Sequence, residues 1–503
     1  MNKYTHEVFL GLIIIVIVGP LLIFQSPPYF HTPDIQYVKA KTLAVMSGNL
    51  YDDPVTGFPS FHPPYYHLFL SWLASIGISL EIIPLIMAMI NVCLLLIFSY
   101  LMLCRIFDKT TALLTTAMIP YINQYMGPGN IFLATAFYFS LPIFIAGLWV
   151  YLREKQTVLT RALTGFLLGL SFIISPVYLF VVGFLFIYEI IWKRQWSQIV
   201  ILIGVFLISI IPFLIHTYTI SSYQMAGTSA FSFWRGWPDW EWFQTFIGYL
   251  LYPADGKISH WQVLITLAIF VIGIIGIRKS RSTHFLIYIF LTAYLFTSYH
   301  YNAYQYGPRI FFFFGLLVTG YLIRHLRDFI NIKMVSLGII TAFILFGIGE
   351  HLYRSYINLE NEKVNYLNYR QIGRGLKDNL PDFVAVNDYI LASTLTYRNF
   401  IMPYFPVRAL VAHHSGEYFQ LNSRIADEML RDYNDFMAAG KPELVDLICR
   451  KYNIKIAVIG GRDVNQNGFK TIMEHWEKVY EDQTFKIFRK YAASDEPTGS
   501  SNN

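Results

Sequence analysis

Charge is scarce in this chain of 503 residues, with Asp, Glu, Lys and Arg together making up 14%. A soluble protein of this size carries about 25%, so this one cannot cover a water-facing surface with charge. Cysteine is scarcer still, at three residues. Cys93 and Cys104 fall inside one apolar run and read as small hydrophobic side chains. Cys449 stands alone in the C-terminal part, which excludes a disulfide framework and a cysteine-based zinc site. The chain has no Walker A loop, no Rossmann glycine fingerprint and no His-Glu-x-x-His pair. Gly460-Gly461 lacks a third glycine and reads as a strand exit. The apolar runs hold no series of Asp, Glu or Lys that would mark an ion pathway. Glu189 and Glu350 lie near the ends of theirs. These absences exclude a cytosolic enzyme, a disulfide-stapled secreted domain and a disordered scaffold, and no internal repeat is visible.

Apolar sequence is abundant: 55% of residues are hydrophobic and 17% aromatic, with a mean hydropathy of +0.44. It is concentrated in runs such as 8–24, 199–216 and 263–277, which approach or match the roughly 30 Å hydrocarbon core of a bilayer. The pattern predicts a mainly α, polytopic membrane protein with about eleven spans. They are placed at 8–24, 81–104, 110–124, 131–152, 159–175, 177–192, 198–217, 260–277, 285–299, 310–323 and 334–353. The first is followed by Gln25-Ser26-Pro27-Pro28 rather than a small-residue cleavage site, so it reads as a retained span.

The net charge of +6 is unevenly placed. Residues 354–503 hold 19 acidic and 19 basic side chains, so residues 1–353 supply the whole excess. Such a distribution reflects membrane topology and argues against nucleic-acid binding. With the N-terminus in the cytoplasm, inner loops carry 14 Lys or Arg and outer loops five, namely Lys39, Lys41, Arg235, Lys257 and Arg309. An odd span count then puts the C-terminal part outside the cell membrane. The expected organisation is a transmembrane domain over 1–353, an extracytoplasmic α/β domain over 354–491 and a disordered polar tail over 492–503.

The first outer loop, 25–80, holds two helix-like stretches. One opens at Thr32-Pro33-Asp34, with Thr as N-cap and Pro at N1, and ends at Ser47-Gly48. Its apolar Ile35, Val38, Leu43 and Met46 fall roughly opposite Gln36 and Lys39, as in an interfacial helix. The other begins at Pro63-Pro64 and runs from Tyr65 to Ile76. It is too short to span, and spanning would invert every later charged loop. A second outer segment, 218–259, carries Trp234, Trp237, Trp240 and Trp242, with Asp239 and Glu241 among them. These rings suit either sugar stacking or an interfacial aromatic belt.

Few residues have the placement needed for chemistry. Asp34, about ten residues after the first span and at the outer face, could accept a proton from an arriving hydroxyl or simply favour a helix N-terminus. Arg309 opens the tenth span from outside and suits a lipid phosphate, or an interfacial anchor. His62 could donate to a phosphate. Asp52-Asp53 could bind a cation, although Asp-Asp-Pro followed by Thr56-Gly57 is ordinary turn chemistry. From residue 354 the pattern becomes α/β, with strands at 389–393, 409–412, 454–459 and 485–488 and helices at 423–438 and 442–452.

Taken in order, these pieces resemble the GT-C superfamily of membrane glycosyltransferases, in particular the protein O-mannosyltransferases and lipid A aminoarabinose transferases. The resemblance rests on Pro33-Asp34-Ile35-Gln36-Tyr37, Ser47-Gly48, Pro54-Val55-Thr56-Gly57, His62-Pro63-Pro64-Tyr65 and Pro308-Arg309-Ile310. It covers the first 80 residues well and the topology loosely. It implies a sugar moved from a polyprenyl-phosphate donor to an acceptor hydroxyl on the outer side, with Asp34 as base and Arg309, helped by His62, on the donor phosphate. Tyr37, Lys39, Asn130, Tyr306, Trp234 and Asp239 are the implied substrate contacts. The acceptor could be protein, lipid or glycan. The family often has a second acidic residue at the first site and another in the second outer loop. Here these positions hold Ile35 and the stretch Gly127-Pro128-Gly129-Asn130, which disfavours a divalent cation, and no other cofactor is implied. Two non-catalytic alternatives remain open: a flippase or exporter of lipid-linked saccharides, and an inactive GT-C-like protein that binds glycan.

Overall fold

In the computed structural model, residues 5–491 are described except 26–32, 56, 58–62, 127–131, 222–283, 298–306, 330–332, 386–387, 394–395, 406, 411–422 and 439–440. Their apolar runs fold into helices, and proline decides where several of these break. The stretch expected as one span at 110–124 is α5 (Lys109–Ala117) followed by α6 (Ile119–Met126), with α1 (Thr5–Phe24), α2 (Pro33–Met46), α3 (Tyr65–Ser75) and α4 (Ile83–Leu103) before it. The division falls at Ile119-Pro120, where the proline has no N–H to continue the ladder. The next helices are α7 (Ala136–Tyr151), α8 (Val158–Ile174) and α9 (Leu179–Tyr188), the last entered through a 3₁₀ turn at Pro176–Tyr178. The stretch expected at 198–217 divides in the same way, before Pro212, into α10 (Trp196–Ser209) and α11 (Ile211–Ser221). The later helices of this part are α12 (His284–Thr297), α13 (Gly307–Phe329) and α14 (Lys333–Ile372).

Among the described residues, four stretches are long and apolar enough to cross a bilayer: Thr5–Phe24, Ile83–Leu103, Pro176–Lys193 and Arg309–Asp328. Ala136–Tyr151, Val158–Ile174 and Trp196–Ser209 are shorter apolar helices. The span expected at 260–277 and the polar tail lie outside the described residues.

The chain packs as two units, one of Met1–Tyr29, Ile82–Ile215 and Phe231–Asn361, the other of Phe30–Glu81, His216–Ala230 and Glu362–Asn503. The first is built on α4, α7, α8 and α10. Helix α8 starts in a capping box in which the Thr157 hydroxyl accepts from the Thr160 N–H and Thr160 accepts from the Thr157 N–H. Gly165 and Gly169 let it lie close against α10, since a Cβ at these positions would collide with the Leu202 carbonyl and the Ser209 side chain. Where α8, α9 and α10 come together, Arg161 and Glu189 form an ion pair at 3.2 Å with both side chains almost wholly buried. Lys193, at 3.1 Å, and the Tyr151 hydroxyl reach the same Glu189 oxygen.

The second unit holds a five-stranded sheet in the order β2-β1-β3-β5-β4, made of β1 (Tyr389–Ala392), β2 (Arg408–Leu410), β3 (Ile456–Gly460), β4 (Glu477–Glu481) and β5 (Phe485–Arg489). Strands β2, β1 and β3 run parallel, whereas β5 pairs antiparallel with both β3 and β4. Every residue of β3 is buried, as expected for a strand covered on both faces. Helices α15 (Arg374–Asn379), α16 (Ser423–Ala438), α17 (Pro442–Lys451) and α18 (Asn467–His475) complete the unit.

The sequence pattern missed three of these elements, the short helix α15 together with β4 and α18, and misplaced a boundary. Strand β4 reads Glu-Lys-Val-Tyr-Glu, with charge at both ends and no apolar alternation, because it is the outer strand of the sheet. Helix α18 opens with Asn467-Gly468, which reads as a turn. Helix α14 continues to Ile372, well past residue 354 where the composition changes. A helix ends at a cap or a breaker, and the composition change supplies neither.

Candidate active site

Asp34 is the second residue of α2, in the first turn behind Pro33. The helix closes at Gly48, with φ +87°. The Asn49 N–H donates to the Ala44 carbonyl at 2.8 Å and the Gly48 N–H to the Val45 carbonyl at 3.0 Å. This pair of bonds is a Schellman motif, which needs the left-handed residue that glycine supplies.

The expected two-faced character of α2 is overturned. Gln36 is 1% exposed and Lys39 4%, while Met46, assigned to the apolar face, is 49% exposed. The reason is that α2 is covered from more than one side, by α3 and by the turn Tyr397–Ile401. A hydrophobic pattern assumes that one face meets solvent, and this helix has no such face along 35–44.

Burial has a consequence for Lys39. Loss of solvent pushes its ammonium pKa down to about 7, with Glu81 opposing the shift and Lys377 adding to it. Lys377 itself pairs with Glu81 at 3.6 Å and lies over the Tyr404 ring. Tyr37, half-buried, donates its hydroxyl to Asp53 Oδ2 at 2.9 Å, and its ring meets His67 edge-on at 6.5 Å. His67 is buried in α3 and was not singled out from the sequence. One isolated histidine in an aromatic helix gives no signal.

For Asp52-Asp53 the turn reading holds. Asp53 is buried, and its Oδ1 accepts the Val55 N–H at 3.0 Å. Its carbonyl accepts the Gly57 N–H at 2.9 Å, with Gly57 at φ +71°.

In the other unit, Arg309 is half-buried in the first turn of α13. Its guanidinium lies 5.0 Å from the centre of the Phe137 ring, where the negative π face favours a cation. Phe137 lies in the first turn of α7 and packs beside Tyr138 and Tyr178. The Tyr178 hydroxyl is 3.2 Å from Ser140 Oγ, and Asn123 donates to the Tyr138 hydroxyl at 3.3 Å. Asn123, Tyr138 and Tyr178 are thus buried polar groups in the packing around Phe137, the ring that Arg309 faces. The sequence held a partial signal for two of them: Asn123 is polar within an apolar run, and Tyr178 follows the Ser175-Pro176 break.

Asp34, Tyr37 and Lys39 therefore share one helix in the second unit, and Arg309 belongs to the first. His62, Asn130, Trp234, Asp239 and Tyr306 lie outside the described residues.

No known family's sequence profile matches the chain, and no curated protein sequence matches it. Solved structures do. The lipid A aminoarabinose transferase ArnT from Cupriavidus metallidurans, solved with undecaprenyl phosphate, superposes with a TM-score of 0.60 over 98% of this chain and 99% of its own, at 11% identity. The Archaeoglobus fulgidus oligosaccharyltransferase tethered to an acceptor peptide matches at 0.54 over 98% of this chain and 74% of its own, at 14% identity. The archaeal oligosaccharyltransferase AglB, solved with an inhibitory peptide and a dolichol-phosphate, matches at 0.53 over 99% and 75%, also at 14% identity. In fold the chain is similar to these transferases. The match extends over nearly the whole chain at only 11–14% identity.

Proposed function

We propose that this protein is an integral-membrane glycosyltransferase that moves a sugar from a polyprenyl-phosphate donor to an acceptor hydroxyl outside the cytoplasm. The N-terminus then lies in the cytoplasm and the C-terminal α/β part outside. The observation that carries the reading is the end-to-end structural match to a transferase solved with undecaprenyl phosphate. The charge asymmetry of the loops supports the orientation.

The chemistry is a single displacement. The acceptor oxygen attacks the anomeric carbon, its proton passes to the Asp34 carboxylate, and the bond from that carbon to the phosphate oxygen breaks. The bonding pair leaves with the polyprenyl phosphate, and the configuration at the sugar inverts. Arg309 holds the phosphate as negative charge builds on it, with His62 as a second donor. A guanidinium suits this role because it stays charged and offers a planar fork of donors. Its partial burial against the Phe137 ring lowers the local screening and strengthens the attraction.

The test supplies purified protein in detergent with a panel of radiolabelled polyprenyl-phosphate sugars and follows label from the lipid phase to an acceptor fraction. Transfer by the wild type, falling by about 10²- to 10³-fold in Arg309→Gln, supports the reading. Donor binding without transfer of any sugar contradicts it and favours a glycan-binding protein with a GT-C fold.

A further inference from the structure

Among the described residues, the sheet of the second unit ends at β2, a three-residue strand whose parallel pairing with β1 occupies one side. An edge of this kind normally needs cover, and the first outer segment provides it. The Arg408 N–H turns toward β1 and donates to the Asp388 carbonyl at 2.8 Å, whereas the Ala409 N–H turns away and donates to the Val55 carbonyl at 3.0 Å. Val55 sits in the Asp53-Pro54-Val55 turn, so the turn is hydrogen-bonded to the sheet edge.

The same turn is tied to α2. Asp53 accepts from the Tyr37 hydroxyl on one oxygen and from the Val55 N–H on the other. The Lys41 ammonium, fully buried, donates to the Asp52 carbonyl. Arg408 lies over the Tyr389 ring and pairs with Asp52 at 3.6 Å. Gly57 completes the arrangement, because a Cβ there would overlap the Arg408 side chain and its φ is positive. The Arg408–Asp52 pair is long and partly exposed and contributes little by itself. Asp53 is buried and doubly bonded, so losing it takes an acceptor from a half-buried hydroxyl and from a buried N–H.

We propose that the Asp52–Gly57 turn is a clamp that fixes α2 on the edge of the C-terminal sheet, and that Asp53 is a positioning residue for Asp34. The inference rests on the transferase reading for its catalytic half and on geometry alone for its docking half. On this view the C-terminal sheet serves to hold the helix that carries the base.

Two measurements on the full-length protein test it. Hydrogen exchange in detergent reads the clamp: Asp53→Ala should speed exchange across residues 35–57 by more than about tenfold while β3 stays protected. Unchanged exchange over 35–57 overturns the docking half. Should Asp53→Ala also lose protection of β3, Tyr37→Phe, which deletes one oxygen, carries the same comparison. Transfer kinetics read the coupling: Asp53→Ala should lower kcat by about 10²-fold, the cost of a small misplacement of a reacting group, with KM for the donor changed less than twofold. In an Asp34→Asn background, adding Asp53→Ala should lower transfer no further. An equal fall in that background overturns the coupling to Asp34. Equal transfer by wild type and Asp34→Asn removes the base itself and with it the catalytic half, while the exchange result still decides the docking.

Discussion

Lys39 illustrates what sequence could and could not reveal at the residue scale. Its position near Asp34 was legible, whereas the helix that carries it packs against Tyr397–Ile401, more than 350 residues away in the chain, and no local pattern could show that. The burial is testable. The folded chain holds Lys39 at a pKa of about 7 and the ordinary value is 10.5. Between those values the unfolded chain binds more protons, so stability contributed at this site rises with pH across that window. Below pH 7 the ammonium is charged in both states and the burial cost is paid in full. Lys39→Met should therefore raise the thermal midpoint in detergent at pH 6, with a gain that shrinks toward pH 10. A gain independent of pH contradicts the assignment. Arg309 offers a second test at this scale. Arg309→Lys keeps the charge and loses the planar fork over Phe137, so transfer should fall at least tenfold, short of the loss in Arg309→Gln. Transfer by the lysine variant at the wild-type rate would remove the need for a guanidinium.

Helix pairing is where small residues and buried charge take over. Gly165 and Gly169 sit four apart on α8, where they allow close approach to α10. Gly169→Leu should displace α10 and lower the thermal midpoint by several degrees, whereas Gly183→Leu, at a glycine whose Cβ would meet nothing, should have little effect. Equal shifts in the two variants would contradict close packing as the reason. Glu189 was read from the sequence only as a charge near the end of its span. It accepts from three helical segments through Arg161, Lys193 and Tyr151. Removing it alone strands a buried guanidinium, a change that costs about 3–5 kcal/mol in comparable buried pairs. Glu189→Leu should therefore be far less stable than the double variant Glu189→Leu/Arg161→Met, measured by thermal unfolding in detergent. Periodicity showed that these helices exist. Why they meet where they do depends on glycine spacing and paired charge, which become legible only when the partner helix is known.

For the whole molecule, composition was enough to indicate a membrane protein, and the order of short motifs was enough to suggest the GT-C fold. The C-terminal sheet was partly visible, because its buried strands β1 and β3 are apolar and its outer strand β4 is charged. The attachment of the Asp53-Pro54-Val55 turn to that sheet was not visible, since it depends on backbone groups of Val55 and Ala409. Orientation can be checked directly with single introduced cysteines and a membrane-impermeant maleimide on intact cells. Tyr491→Cys, at an exposed position, should label without permeabilisation, and Lys155→Cys, also exposed, only after it. The reverse pattern would invert the topology. The central claim is that Asp34 takes the acceptor's proton as sugar leaves a lipid phosphate, and the most direct measurement compares Asp34→Asn with wild type using a radiolabelled polyprenyl-phosphate sugar. The account predicts a loss of about 10²- to 10⁴-fold in transfer with donor binding retained, and transfer at the wild-type rate would contradict it.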